Sequence, residues 1–123
     1  MPAYSSDTPP LALFPGDVGF SFNAEAFPAD GTAGAQFALP EPAGLPDQGH
    51  TVRWQTIFGT APSAINIRLQ GAMADVNAEF FDIDTSTATA GEARTVAGVR
   101  ARFLRVKKVS SSGGASLTAK ILP

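Results

Sequence analysis

Ala64-Ile65-Asn66-Ile67-Arg68-Leu69-Gln70 decides the fold: Ile65, Ile67 and Leu69 alternate with Asn66, Arg68 and Gln70. Successive strand side chains point to opposite faces, so this period of two predicts an antiparallel strand with one face buried. The rhythm spreads outward in both directions. Upstream, Val52, Trp54, Thr56 and Phe58 share a face against Arg53 and Gln55. Downstream, a strand is predicted over 79–84, with Phe81 and Ile83 inward and Asp82 and Asp84 outward. A short strand follows over 93–97, then a turn at Gly98, a long strand over 99–109 and a last strand over 116–122. Gly59–Ser63 reads as a turn, 85–91 as a polar loop and 110–114 as a loop of small residues.

The long strand contains a change of phase. Val99, Ala101 and Phe103 hold one parity, then Leu104 and Val106 carry the apolar pattern on the other. One face cannot bury both sets, so a β-bulge near Phe103–Leu104, or a strand covered on both sides, is expected. Strands about ten residues apart with no helical period predict an all-β, antiparallel sandwich or jelly roll.

Residues 1–50 differ in kind. Eight of the 10 prolines lie there, too many for a helix and a source of missing ladder donors in any strand. Two short strands are plausible, one on Val18, Phe20 and Phe22 and one on Ala35, Phe37 and Leu39. The rest reads as an extended arm anchored by Leu11, Leu13 and Phe14. The expected organisation is a single domain: a Pro/Gly-rich arm over 1–50 and a β-sandwich body over 51–123.

Charge divides at the same place. Residues 1–50 hold six acids and no Lys or Arg, whereas 51–123 hold all 9 Lys and Arg against five acids. Acidic and basic regions of one chain attract within a subunit or between neighbours. Cys is absent, so neither a disulfide nor a thiolate metal site is available. Met1-Pro2-Ala3-Tyr4 lacks the basic and apolar regions of a signal peptide, and no apolar run reaches membrane-span length.

No catalytic constellation appears. His50 is the single histidine and lacks Cys partners, so a structural or solvent role is expected. Asp82 and Asp84 share a strand face, but that spacing is common and the EF-hand glycine and terminal Glu are missing. The serines at 110–112 have no adjacent base. Arg100, Arg102, Arg105, Lys107 and Lys108 could line a nucleic-acid groove with Phe103 to stack bases. The acidic pI of about 5.2 and the core-like position of Phe103 weigh against it. The expectation is a non-enzymatic protein without cofactor or metal.

Ala64–Gly71 followed by Ala72-Met73-Ala74-Asp75 resembles the strand and L-x-G-S-x-D-G signature of discoidin-like, galactose-binding-like jelly rolls, with Ala72 in place of the Ser. The family follows that signature with a Trp strand, and the corresponding stretch here, Asn77-Ala78-Glu79-Phe80-Phe81-Asp82-Ile83, has no Trp. Val99-Arg100-Ala101-Arg102-Phe103-Leu104-Arg105-Val106 resembles that family's v-R-A-R-y-[IL]-R-[VI] strand. The same succession, ending in Ser111-Ser112-Gly113-Gly114 and a final T-A-x-I strand, is also similar to small structural proteins of tailed-bacteriophage virions. The second resemblance implies a head decoration or tail-associated protein, made in the host cytoplasm and located in the virion. It would self-associate, with a trimer favoured, and contact a major capsid or tail protein. Leu11, Leu13, Phe14, Arg100, Arg102 and Arg105 are the candidate partner contacts. The first implies, as the alternative, a carbohydrate-binding module for attachment to a host surface.

Overall fold

A computed structural model describes Tyr4 and residues 10–14, 16–39 and 49–123. Its strands are β1 (Leu11–Ala12), β2 (Gly19–Glu25), β3 (Thr32–Ala33), β4 (Phe37–Ala38), β5 (His50–Thr60), β6 (Ala64–Ala72), β7 (Phe81–Ser86), β8 (Ala93–Val99), β9 (Phe103–Ser112) and β10 (Ala115–Leu122). One sheet runs β1-β4-β9-β6-β7, with β3 also pairing β9; the other runs β2-β10-β5-β8. All pairings are antiparallel except β1 with β4. The all-β sandwich expected from the alternation is the architecture found.

Only β6 and β7 are neighbours both in sequence and in a sheet; the other long connections cross between sheets. The 110–114 segment therefore carries the chain from one sheet to the other and is not a hairpin turn. The pairing is nested: β6 with β7 innermost, then β5 with β8, then β3 and β4 with β9, and β2 with β10 outermost.

Alternation places the core between the sheets. Val52 and Trp54 of β5, Ile65, Ile67 and Leu69 of β6, Leu104 and Val106 of β9, and Leu117, Ala119 and Ile121 of β10 are all buried. Phe22, Phe37, Leu39 and Leu13 join them from the first fifty residues. That half is thus less of an arm than its prolines suggest. It supplies four short strands, and Leu13 is a core residue.

The change of phase has a different cause from the one expected. Residues 99–109 are not one strand. Val99 ends β8 in one sheet, 100–102 cross the end of the sandwich, and Phe103 opens β9 in the other. Val99 faces the shared interior from one sheet and Leu104 and Val106 from the other, so the parity flips at the crossing, and Phe103 falls on the outer face of β9. No bulge lies at Phe103–Leu104. The pairings Asn66↔Ser110 and Ile67↔Lys108 place the extra residue of β9 at Val109. A further bulge in β8 replaces the expected turn: His50↔Val99 and Val52↔Val96 leave one residue too many around Ala97–Gly98, where Gly98 has φ 71°. Similarly, β6 runs through Gly71 rather than stopping there. A side chain at Gly71 would meet Ile83 Cδ1 at 2.6 Å and Ala101 Cβ at 2.7 Å.

The bulges also redirect polar side chains. Register shifts between β2 and β10 turn Ser21 inward, where it accepts the Val106 N–H (2.9 Å) and donates to Ala35 O (2.9 Å). Lys108 falls on the inward parity opposite Ile67. It escapes by reaching the sandwich end, where Nζ donates to Pro28 O (2.8 Å) and Asp30 Oδ1 (2.7 Å). The lysine hydrogen bond holds the Asp30 carboxyl below its usual range. Acidic and basic halves therefore meet here within one chain.

Candidate interaction surface

The basic strand does not form one continuous surface. Arg105 and Lys108 are buried, whereas Arg100 and Arg102 are exposed. Arg105, expected as a partner contact, is only 3% exposed on the outer face of β9, because other segments cover it. Its Nε donates to Gln70 Oε1 (2.9 Å) and its Nη1 to Asn77 Oδ1 (2.7 Å). The guanidinium carbon lies 4.5 Å from the Tyr4 ring centroid and 4.0 Å from that of Phe80. Burial pushes the Arg105 pKa down, with Tyr4 and Asp75 opposing that effect.

The same cover includes Tyr4, whose N–H donates to Ala33 O (2.9 Å). Burial raises the Tyr4 phenol, and the neighbouring Asp75 carboxylate raises it further. Asp75 also accepts Gln36 Nε2 at 3.2 Å. Asp82 is held below its usual range by Gln70 Nε2 (2.9 Å) and by the ion pair with Arg68. Arg105, Gln70, Asn77, Asp82 and Arg68 are engaged with one another, whereas the Tyr4 hydroxyl and Asp75 Oδ1 are buried without a hydrogen-bond partner.

A second polar cluster joins the sheets. Trp54 is core, as its parity predicts, yet its indole N–H reaches Asp84 Oδ2 at 2.9 Å. Arg94 Nε donates to the same oxygen (2.7 Å), Nη2 to Asp84 Oδ1 (3.0 Å) and Nη1 to Glu92 Oε1 (2.7 Å). Burial acts to raise the Asp84 pKa, but the bonds from Arg94 and Trp54 outweigh it and hold the carboxyl below its usual range. Asp84 and Glu92 in turn hold the Arg94 guanidinium above its own. Asp84 does not point outward, because the bulge at Ile83, between Leu69↔Asp84 and Gln70↔Asp82, sets it on the inward parity of Leu69. Phe81, opposite Gly71, keeps the inward parity expected but is 48% exposed at the first residue of β7. Among the described residues no group of three or more His, Cys, Asp or Glu side chains is placed to hold a metal ion, and no helix is long and apolar enough to cross a membrane.

Several of the exposed large apolar side chains lie at one end of the sandwich, whereas Ile57, further along β5, does not. Leu13 N–H bonds Ala38 O, Leu39 N–H bonds Arg102 O, and Arg102 N–H bonds Ala72 O. Gly71 pairs with Phe81, and Gly16 N–H bonds the carbonyl of Pro123, beside the start of β2. That chain of contacts sets Phe14, Val18, Met73 and Phe81 around the rim with Arg100 and Arg102. All four apolar side chains are exposed, Met73 by 65% and Phe14 by 55%. Leu11, 72% exposed, stands one strand position further along β1. Of the six expected contacts, then, Leu11, Phe14, Arg100 and Arg102 face outward at or near this rim, while Leu13 and Arg105 do not. A groove of about 250 Å³ between β7 and β8 opens here, lined by Phe81, Ile83, Val96, Val99, Arg100 and Ala101 among others. Sequence reading missed Met73 and Phe81 as surface groups because their exposure depends on where the strands end: Met73 follows the last residue of β6, and Phe81 is the first residue of β7.

Comparison with known proteins gives no match to any family model, to any curated protein or to any solved structure.

Proposed function

We propose that this chain is a non-enzymatic structural protein of a tailed-phage virion, which decorates or cements a capsid or tail surface by associating with itself and with that surface. The rim carries the reading. Large apolar side chains left in water beside arginines suit burial against another protein surface. The remaining polar clusters serve packing: Arg105, Asp82, Asp84 and Arg94 are each engaged by neighbours in the same chain. The nested strand pairing is the order a jelly roll would have, in keeping with the resemblance that first suggested a virion protein. Attachment here needs no long free arm, because Phe14 and Leu11 are presented from the sheet edge.

The test is compositional and positional. Quantitative mass spectrometry of purified particles should find the chain in many copies per virion, with cross-links from the rim to a major capsid or tail protein. Its absence from particles would overturn the reading. The groove beside the exposed Phe81 favours the alternative, a carbohydrate-binding module, since an aromatic face at a cleft is what a sugar ring stacks on. A strong glycan-array signal lost in Phe81→Ala would decide for it.

A further inference from the structure

Among the described residues the two sheets end in four edge strands, which are not equally protected. An edge strand offers unpaired backbone groups to any passing strand, and proteins blunt such edges with short strands, bulges or charge. β1 has only two residues. β2 carries two register shifts against β10 and a left-handed Ala24 with φ 51°. β7 is bulged at Ile83 and bears Asp82 and Asp84. β8 keeps an unbroken register with β5 from Ala93 to Val96, and Ala93, Arg94, Thr95 and Ala97 are exposed.

The ladder shows which backbone groups β8 leaves open. Thr56 N–H bonds Glu92 O (2.9 Å), so Glu92, Arg94 and Val96 turn their backbone groups toward β5. Ala93 and Thr95 therefore turn theirs toward the open edge. The outer-face side chains there are small: Ala93, Thr95 and Ala97. The one charge within the strand, Arg94, is already neutralised by Asp84 and Glu92 of its own chain.

We propose that β8 pairs antiparallel with β8 of a second copy about a twofold axis through Thr95, joining two four-stranded sheets into one of eight. The register follows from charge and from the open groups. An axis through Arg94 would set two arginines directly opposite, which is unfavourable across a strand pair. An axis through Thr95 instead sets Arg94 opposite the partner's Val96. It lets the two Thr95 residues exchange both N–H···O bonds and places Ala93 opposite the partner's Ala97. The contact is isologous and closes at two copies, so growth into larger assemblies is left to the rim. This deepens the assembly reading and rests on it only in requiring that copies of the chain meet.

Sedimentation velocity of the full chain tests it. The wild type should show a concentration-dependent dimer, and Thr95→Lys, which places two lysines face to face, should lose it while still melting cooperatively, at a somewhat lower midpoint because Arg53 stands opposite in the same chain. Because the chain has no native Cys, Thr95→Cys should cross-link with itself under mild oxidation far faster than Ser110→Cys, in the other sheet. A monomeric wild type, or association unchanged by Thr95→Lys, overturns the proposal, as does cross-linking of Thr95→Cys no faster than that of the control. A β8 dimer that never joins particles would sink the virion reading alone. Particle-bound protein indifferent to Thr95→Lys and free of Thr95→Cys cross-links would sink the β8 contact alone.

Discussion

Arg105 and Arg102 are three residues apart and should behave as opposites. Arg105 is enclosed by Gln70, Asn77 and two aromatic rings. Truncating it strands those partners, so Arg105→Ala should destabilise by about 2–4 kcal/mol in urea denaturation. Arg105→Lys should recover little, since an ammonium cannot reproduce the planar fork. Arg102→Glu, on the exposed rim, should stay within about 1 kcal/mol of wild type in the same experiment yet weaken association with particles. Trp54→Ala should cost about 3–5 kcal/mol, with cavity formation adding to the lost transfer energy. It also removes the indole donor to Asp84. In the sequence the arginines at 100, 102 and 105 look like one basic strand. Nothing in their spacing says that the chain changes sheets between them or that Tyr4 and Phe80 close over only one.

Between elements, the sandwich relies on polar ties that an alternation pattern does not reveal. Ser21 bridges β2 to β9 by accepting the Val106 N–H, so Ser21→Ala should cost about 1–3 kcal/mol by leaving that buried donor unmade. Gly34→Ala should be at least as damaging, because its Cβ would sit 2.4 Å from the Ser21 carbonyl oxygen. Asp82 and Asp84 predict the acid limb of stability. Their folded pKa values lie below the ordinary 3.8. The stability they contribute is therefore full above that value and lost as the pH falls through the lower, folded values. Denaturation midpoints should drop from pH 5 to pH 3, and the drop should shrink in Asp84→Asn. The strands of β5, β6 and β10 were readable because each alternates buried with solvent-facing residues, with Thr56 the polar member of the buried series Val52, Trp54, Thr56 in β5. Bulges at Val109, Ile83 and Ala97–Gly98 were not, since the extra residue shows only against a partner strand's register. The two-residue strands of the N-terminal half were hidden for a related reason: β3 and β4 hold place through β9, and β1 through β4, not through any periodicity of their own.

For the whole molecule, the division of labour is between a sandwich whose ion pairs lie within the chain and a rim that exposes Phe14, Val18, Met73 and Phe81 beside Arg100 and Arg102. Part of the charge asymmetry seen along the sequence is consumed inside the chain, at Asp30 and Lys108. What the rim offers a partner is apolar surface flanked by two exposed arginines. An acidic surface with apolar recesses is the complement it calls for, and contact should weaken with salt while retaining an apolar component. The most direct measurement is co-sedimentation of the full chain with purified particles that lack it, comparing wild type with the rim double variant Phe14→Ser/Arg102→Glu. The account predicts saturable binding by the wild type and its loss in a double variant that still melts cooperatively. Equal binding by both proteins, or none by the wild type, would contradict it.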